Sequence, residues 1–434
     1  MLTAARLGAA ALAAALLTGA AAVPALADTP GTGTAPGTGT APSAAVPEGL
    51  YGKGDPTYDG VWRQSLALTA LTAAQVTPAD SAVAWLTGQQ CADGGWPSYR
   101  ADASAACDAA TEDSNATAVA VQALVALGGH QEAVDKGLQW LKANQNADGS
   151  WAYNPGNPGD ANSTGLAVNA LLAAKTDPAG VAKAGRSAFD GLAAFQLGCA
   201  APAEQRGGFV YQPSPDGTPA QANGLASGQA SLAAAGGRLP VTSTNRTDAA
   251  PKALVCPDGA AGTAVPRADS GEAAAAYLTA QLAAGGRHLT LTLPGAAPAP
   301  DYAATAWGAL GLVQGGHPQQ AAGAVDWLAE EGGGWTKGGT DAAATATLLL
   351  VAQAAQRDPA AFGGTDLVKQ LTALGPAPKA SGGASASASA GASATAKKDE
   401  GGSLNKYWPL GIGLLIGIGG GLVLSLQRKR GAKL

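Results

Sequence analysis

The chain has 434 residues, of which 46% are hydrophobic and 13% are charged, and its formal net charge is −5. This length and apolar content suffice for one large buried core or two smaller ones. The negative charge excludes the basic surface that nucleic-acid binding requires, so we expect no nucleic-acid partner.

The first 27 residues have the pattern of an export signal. Arg6 supplies a positive charge, an apolar run follows it, and Ala-Leu-Ala ends at Ala27 as a small-residue cleavage pattern. We therefore expect a signal peptide over residues 1–27. Residues 28–47, which are rich in Gly, Thr, Ala and Pro, are predicted to be a disordered spacer.

Residues 48–375 repeat a pair of helix-like stretches six times. A small polar residue heads the first stretch of each pair, and a Gly or Pro break precedes the second. Such pairs favour antiparallel helical hairpins. We predict an all-α fold in which six hairpins close into an (α/α)6 toroid, with the alanine-rich first helices lining a barrel. The first stretches start near Tyr58, Glu112, Asp160, Gln221, Asp301 and Thr340, and the second near Ser81, Glu132, Ala184, Gly271, Gln320 and Thr365.

The C-terminal part has the pattern of a membrane anchor. Residues 376–406 are predicted to be an Ala/Ser/Gly-rich linker, and the uncharged run 408–426 is just long enough to cross a bilayer of about 30 Å. Aromatic residues precede that run and basic residues follow it. We expect a single transmembrane helix with the globular part outside the cell and residues 427–434 as a basic cytoplasmic tail.

The turns between hairpins carry the pattern Q-x-x-x-G-x-W, complete in two places and partial in three. Glycine permits a tight turn after a helix, the Gln amide can bond backbone there, and the aromatic ring can pack across the hairpin. We therefore expect this motif to join neighbouring repeats. Its members are Gln90, Gly94 and Trp96; Gln145, Gly149 and Trp151; Gly207, Gly208 and Phe209; Gln281 and Gly285, with Arg287 in place of Trp; and Gly333, Gly334 and Trp335.

With these motifs the chain resembles the squalene/terpene cyclase and prenyltransferase superfamily, in which Q-x-x-x-G-x-W is the QW motif. The resemblance covers residues 48–375 and implies a single closed toroid. Prenyltransferase β-subunits, complement thioester domains and the α-domain of cobalamin binders such as intrinsic factor and transcobalamin share this architecture. The motif is structural, so it does not assign a chemistry.

The catalytic residues of these relatives are not visible. No two aspartates are adjacent, which excludes the cyclase acid D-x-D-D, and the nearest acidic pair, Glu112 and Asp113, is equally explained as a helix head. The three histidines lie beside Gly in turns, and the thioester segment C-G-E-Q is absent. We expect no catalytic residue, metal or cofactor, although a Ser-His-Asp triad formed in space stays possible.

The four cysteines are expected to form disulfides, because an export signal places them in an oxidising compartment. Local pairing of Cys91 with Cys107 and of Cys199 with Cys256 is our preferred connectivity of the three that four cysteines allow. Free or metal-binding thiols are the alternative.

The heads of the first helices and the Gly-aromatic turns should gather at one end of the barrel, where aromatic rings and polar groups would surround a ligand. Packing between repeats also explains the motif aromatics, and helix capping also explains the polar heads. The candidate ligand-binding residues are Tyr99, Asp113, Asn115, Tyr153, Asp160, Asn162, Tyr211, Asn223, Asp301, Tyr302, Thr305, Trp307 and Asp341.

The sequence thus predicts an exported, membrane-tethered toroid that binds an extracellular small molecule, corrinoid-like or hydrophobic. A transporter, or a second binding subunit, is the expected partner. One alternative is a terpene cyclase or prenyltransferase-like enzyme that lacks the usual acid. Another is a surface module that binds glycan or protein.

Overall fold

The computed structural model describes residues 46–214, 220–242, 246–247, 249–257, 264–292 and 297–380. The predicted signal peptide, the segment 408–426, the basic tail and nearly all of both low-complexity tracts lie outside the described residues. Among the residues that are described, no helix is long and apolar enough to cross a membrane.

Twelve α-helices in the described ranges follow one another as six antiparallel hairpins. They are α1 (Gly60–Ala73), α2 (Asp80–Gly88), α3 (Ser114–Leu127), α4 (Gln131–Ala143), α5 (Ala161–Ala173), α6 (Ala188–Ala193), α7 (Gly224–Ala234), α8 (Arg267–Ala284), α9 (Tyr302–Gln314), α10 (Pro318–Trp335), α11 (Ala342–Ala354) and α12 (Leu367–Thr372).

The odd-numbered helices form a closed inner ring. Each packs against the next odd-numbered helix in chain order, and α11 packs against α1 to complete the circle. Each even-numbered helix packs on the outside of its own hairpin partner. This arrangement confirms the predicted all-α toroid.

Small and uncharged residues allow the inner helices to approach one another closely. In α7, a side chain at Gly228 would come within 2.8 Å of the carbonyl oxygen of Ala304 in α9, so only glycine fits there. The outer helices are amphipathic instead: α4 buries Val134, Leu138 and Leu141 at helical spacing and exposes charged residues on its other side.

Two local elements differ from the sequence-based expectation. The stretch from Ala184 was expected to be helical, but β1 (Ala182–Lys183) and β2 (Arg186–Ser187) pair antiparallel there, and α6 begins only at Ala188. The cause is the turn, in which Ala184 and Gly185 have φ values of 51° and 79°. Ser187 then caps α6 through a capping box with Asp190.

The second difference concerns the fifth turn. The Gly-Gly-Trp sequence that ends at Trp335 was expected to be a turn, but it forms the last turn of α10. A second strand pair, β3 (Leu289–Leu291) with β4 (Ala299–Asp301), precedes α9. The β strands are confined to turns, so the core remains helical.

The two ends of the barrel are not alike. At the C-terminal ends of the inner helices, the connection between α7 and α8 crosses the barrel and buries Leu239 and Val241. The Leu239 N–H donates to Gln122 of α3 at 2.9 Å, and Asn169 of α5 donates to the Gly237 carbonyl at 2.7 Å. The opposite end, where the inner helices begin, is called the mouth below.

Both predicted disulfides are present. Cys91 and Cys107 are bonded with their Cα atoms 5.8 Å apart, and Cys199 and Cys256 with theirs 5.5 Å apart. The first closes the loop between the first motif turn and α3, and the second ties the α7–α8 connection to the turn after α6. Thiol ligands are therefore not available from these residues.

Candidate functional site

The mouth is built from the N-terminal ends of the six inner helices, and five of these ends are capped by a side chain. Each capping oxygen accepts a backbone N–H from the first turn of its helix, which satisfies a donor that the helix itself leaves unpaired. The capping residues are Asp113, Asp160, Asn223, Asp301 and Asp341. Five predicted ligand-binding residues therefore have a structural function in the chain.

The motif turns dock onto the inner helices through one repeated contact. The backbone N–H of Trp96 donates to the Thr117 hydroxyl of α3 at 2.9 Å, and that of Trp151 donates to the Thr164 hydroxyl of α5 at 3.0 Å. Phe209 repeats the contact with Ser227 of α7 at 2.9 Å. The hydroxyl always stands four residues after the capping residue, which fixes the register between turn and helix.

The motif glutamines join neighbouring hairpins. The Gln90 amide donates to the carbonyl of Gly94 in its own turn at 3.0 Å and to Ala133 of α4, in the next hairpin, at 2.9 Å. Gln145 likewise donates to Gly149 at 2.9 Å and to Val181 at 3.3 Å.

Gln196 is a third glutamine of this kind, and its spacing does not follow Q-x-x-x-G-x-W. Its amide donates to Gly207 and to Ser270 of α8, both at 3.0 Å. The spacing to the glycine is longer here because the turn contains an insertion with Cys199. A Gln-Gly spacing that admits an insertion is the one sequence signal for it.

The motif aromatics do not line the mouth. Trp96, Trp151 and Phe209 are completely buried between hairpins. The indole N–H groups of Trp96 and Trp151 donate to the carbonyls of Leu86 and Leu141 at 2.9 and 2.7 Å. Packing between repeats accounts for these residues, and Trp335 is half-buried at the end of α10.

Helical periodicity identifies the side chains that face the barrel interior. Residues two positions apart point about 200° away from each other. Thr117, Thr164, Ser227 and Thr305 face the motif turns outside the ring, and Gln64 faces α2, where it donates to Ala82 at 2.7 Å. The residues two positions from them therefore face inward, and these are Trp62, Asn115, Asn162, Gln229 and Trp307.

Two of these inward-facing side chains are amides with an unpaired atom. Asn162 is 8% exposed and donates to Gln229 of α7 at 2.6 Å, but its own side-chain oxygen has no hydrogen-bond partner among the described residues. The side-chain oxygen of Asn115 is also buried without a partner there. Buried polar atoms are rarely left unpaired, so these two point to a missing partner.

Trp62 and Trp307 meet inside the barrel. Their ring centroids are 6.3 Å apart, although α1 and α9 are not neighbours in the ring and both flank α11. Trp307 is 3% exposed, whereas Trp62 is partly exposed at the first turn of α1. The pair places an aromatic surface in the barrel interior, which the two amides also face. Of the inward-facing residues, Trp307, Asn115 and Asn162 are among the ligand-binding residues predicted from the sequence, whereas Trp62 and Gln229 are not.

Hydroxyl groups and carboxylates form the rim of the mouth. The Ser98 hydroxyl lies 3.0 Å from a carboxylate oxygen of Asp113 and 3.1 Å from the Tyr153 hydroxyl. Burial raises the pKa of Asp113 and that of Tyr153, and the Asp113 charge raises the latter further. Burial also raises the pKa of Asp160 to about 6. Tyr211, 39% exposed, has a pKa raised to about 12 by burial and by the Asp160 charge.

Three predicted ligand-binding residues lie away from the inward-facing amides. Tyr99 stacks on Trp85 of α2 with 6.4 Å between ring centroids. Tyr302 stacks on Trp327 of α10 with 4.7 Å between centroids. Thr305 accepts from the backbone of Leu289, so its hydroxyl holds β3 in place.

The acidic pair at the head of α3 is divided between two environments. Asp113 belongs to the rim, but Glu112 is buried against α4, where it accepts a hydrogen bond from the Trp140 indole. Burial and the nearby Asp93 charge raise the pKa of Glu112 to about 7. Glu112 also lies close to both sulfurs of the Cys91–Cys107 disulfide, and bonded sulfurs do not bind a metal ion as thiolates do.

Two surface cavities lie outside the mouth. One of about 410 Å³ is lined by Lys142 and Gln145 at the end of α4 and by residues 176–182. The other, of about 380 Å³, lies between α2, His130 and Lys379. Neither contains an inward-facing residue of the barrel.

A twelve-helix toroid with QW-type turns defines a structural class that is shared by several functions. Within it, the family model for the squalene-hopene cyclase C-terminal domain matches residues 49–174. The chain is therefore similar to the squalene/terpene cyclase-like toroid superfamily, as its motifs predicted. The matched range contains both complete QW motifs.

Comparison with individual proteins adds little. No curated protein matches the chain. A solved structure described as the crystal structure of a protein from Actinoplanes is 16% identical, with a TM-score of 0.44, and the match covers 72% of this chain and 95% of that one.

Proposed function

We propose that this protein binds a small molecule in the mouth of the toroid. The observation that carries the proposal is the unpaired side-chain oxygen of Asn162, which is more than nine-tenths buried and faces the barrel interior. Leaving such an atom unpaired costs about 1 to 3 kcal/mol, and a donor group on a ligand would remove that cost. Trp62 and Trp307 would contact the apolar part of the same ligand.

The expected setting is the outer face of a cell membrane. The two disulfides support an oxidising compartment. The proposed signal peptide and the transmembrane segment 408–426 would place the toroid outside the cell on a flexible linker. A corrinoid-like or hydrophobic molecule, passed to a transporter or shared with a second binding subunit, is the ligand in this proposal.

An enzymatic function is the second candidate, and the family match over residues 49–174 supports it. A terpene cyclase or prenyltransferase-like reaction would need an acid or an anion-binding group at the mouth. Burial raises the pKa of Asp160 toward the range of a general acid, but this carboxylate already accepts hydrogen bonds from the backbone and the hydroxyl of Ser163. We therefore place binding first.

Thermal unfolding of the full-length chain in detergent tests both candidates. The probes are hydroxocobalamin, squalene, geranylgeranyl diphosphate and soluble cell-wall glycan fragments. A probe at 100 times its dissociation constant should add about 2.7 kcal/mol to the free energy of unfolding. Product analysis of the squalene and diphosphate samples detects turnover.

Matched variants locate the site. Trp62→Leu and Trp307→Leu should abolish the stabilisation by the active probe, whereas Trp85→Leu, on outer helix α2, should leave it unchanged. Stabilisation that survives both inward-facing substitutions would place the ligand elsewhere. Turnover of squalene or of the diphosphate that Asp160→Asn abolishes would replace the binding proposal with the enzymatic one.

A further inference from the structure

The inner helices contain almost no charge of their own. Within the described chain, Arg63 is the only Lys, Arg, Asp or Glu residue in the six inner helices. Its guanidinium is already occupied, because it donates to the Tyr51 and Gly54 carbonyls and pairs with Asp59 at 2.8 Å. The inner helices, as far as the structure describes them, therefore offer no free cation to an anionic ligand.

The residues that head these helices are acidic instead. Five of the six are aspartates, at positions 59, 113, 160, 301 and 341, and the sixth is Asn223. Asp59 and Asp341 are paired with Arg63 and Lys337. In the described structure, Asp113, Asp160 and Asp301 have no ion-pair partner. Asp160, with a pKa of about 6, carries its charge at neutral pH.

Helix N-termini normally favour anions, so their effect must be weighed against these carboxylates. The positive end of a helix is worth roughly half an elementary charge, and its free N–H groups make the actual contacts with an anion. At α3, α5 and α9 those N–H groups donate to the capping aspartates. Asp160 ionises above a pKa of about 6, and its negative charge then exceeds the half charge of α5, so this end favours a cation.

The unpaired atoms at the mouth have the same preference. The atoms without partners on Asn115 and Asn162 are carbonyl oxygens, which accept hydrogen bonds and lie at the negative end of the amide dipole. Trp62 and Trp307 add two indole rings, and the face of an indole attracts a cation more strongly than other aromatic faces do. The carboxylates, the amide oxygens and the indole faces thus all favour a positively charged ligand.

We infer that the ligand is a cation, an alkylammonium compound whose nitrogen donates to the Asn115 and Asn162 amide oxygens while its apolar part lies against Trp62 and Trp307. This inference rests on the proposed mouth site and specifies its ligand class. It excludes diphosphates and carboxylates as ligands of that site.

Titration calorimetry on the full-length chain tests the charge preference with three probes that share one apolar tail: octylammonium, octanol and octanoate. We expect octylammonium to bind about tenfold more tightly than octanol, and octanoate to bind most weakly. Equal binding of all three overturns the cation inference and leaves the mouth site standing. Tighter binding of octanoate overturns the inference as well. Failure of all three, together with failure of every probe in the thermal series, removes both.

A pair of isosteric variants separates a direct contact from a general charge effect. Asn115→Asp adds a negative charge at the mouth, in the first turn of α3, where an acidic residue is compatible with the helix. We expect it to tighten octylammonium binding about tenfold. Gln131→Glu adds the same charge at the exposed start of α4, at the other end of the barrel, and should change the affinity less than twofold. Equal effects of the two variants, or none from Asn115→Asp, contradict the contact.

Discussion

The first three hairpins and the last three hairpins close one ring with different turns. In the first half, Gln90, Gln145 and Gln196 each connect their own turn to the next hairpin through a buried or half-buried amide. In the second half, the turn before α9 is the strand pair β3–β4, and the turn before α11 is a continuation of α10. The family match, over residues 49–174, lies in the first half.

One contact is common to both halves. The backbone N–H of Leu289 in β3 donates to the Thr305 hydroxyl at 2.9 Å, just as the N–H of Trp96 donates to Thr117. The last inner helix, α11, has a different contact at its head: the backbone N–H of Asp341 donates to the carbonyl of Thr336. At α3, α5, α7 and α9 a backbone segment is thus docked onto a hydroxyl of the inner helix, and the Gln and Trp side chains are one of several ways to hold it there.

The largest difference between the halves should appear when a motif aromatic is removed. Trp151→Ala deletes a completely buried ring and the hydrogen bond to Leu141, so we expect a loss of about 4 kcal/mol in the free energy of unfolding. Trp335→Ala removes a half-buried ring that stacks on Tyr302, at a cost of about 1.5 kcal/mol. Chemical denaturation measures both values, and equal losses would show that the two turns hold the ring in the same way.

The glycine turns give the next largest contrast. Gly149 has a φ of 87°, and a Cβ there would lie 2.2 Å from the Ser187 carbonyl oxygen. Gly149→Ala should therefore cost about 3 kcal/mol through backbone strain and overpacking. Gly286, with a φ of 69° and open space around it, should lose only about 1 kcal/mol as Gly286→Ala. Similar losses would mean that positive φ alone, rather than the close approach in the first half, sets the cost.

The repeat count made the fold predictable from sequence. Six alternations of a polar helix head and an Ala-rich helix favour a ring, and pairing each cysteine with its neighbour along the chain predicted both disulfides. The predicted helix and turn boundaries were wrong at two places where the local backbone conformation departs from the repeat. Ala184 and Gly185 form a tight turn of positive φ that interrupts a helical pattern, and the glycines before Trp335 are absorbed into α10.

The candidate site was less predictable, because a residue belongs to it only if its side chain points into the barrel. Asn115 and Asn162 lie in the same first turns as the capping residues, and only the 200° between alternate residues separates an inward-facing amide from an outward-facing hydroxyl. Tyr99 follows the first motif turn, and Tyr302 is the first residue of α9. Both rings nevertheless stack on tryptophans of outer helices. Gln229 had no sequence signal, since nothing local marks its hydrogen bond to Asn162, 67 residues away.

The capping residues contrast in their response to pH. Asp160 is buried and its folded-state pKa is about 6, raised from 3.8, so the folded chain binds more protons than the unfolded chain between these values. This contribution to stability is therefore present at low pH and is lost as pH rises from about 4 to 6. The full shift corresponds to about 3 kcal/mol, and about 2 kcal/mol of it falls between pH 4 and pH 7.5, because the unfolded carboxyl is already partly ionised at pH 4.

The variant Asp160→Asn should remove that pH dependence, because an amide caps a helix without titrating. We compare the free energies of unfolding of the variant and the wild type. The difference, variant minus wild type, should be about 2 kcal/mol larger at pH 7.5 than at pH 4. The reverse exchange, Asn223→Asp, places a carboxyl at an exposed cap in the second half and should add no such dependence. A parallel pair of pH profiles for wild type and Asp160→Asn would contradict the buried-carboxyl account.

The smallest expected effect tests the glutamine that lacks motif spacing. Gln196 is 6% exposed, donates to Gly207 and Ser270, and accepts from the Ser270 hydroxyl at 2.6 Å. Gln196→Ala leaves these buried partners unpaired and should cost about 1.5 kcal/mol. Gln281 keeps motif spacing to Gly285, but its amide makes one contact, with Glu204 at 3.4 Å on the surface, so Gln281→Ala should cost below about 0.5 kcal/mol. The reverse ranking would mean that spacing in the sequence, rather than the contact between hairpins, identifies the residues that hold the ring together.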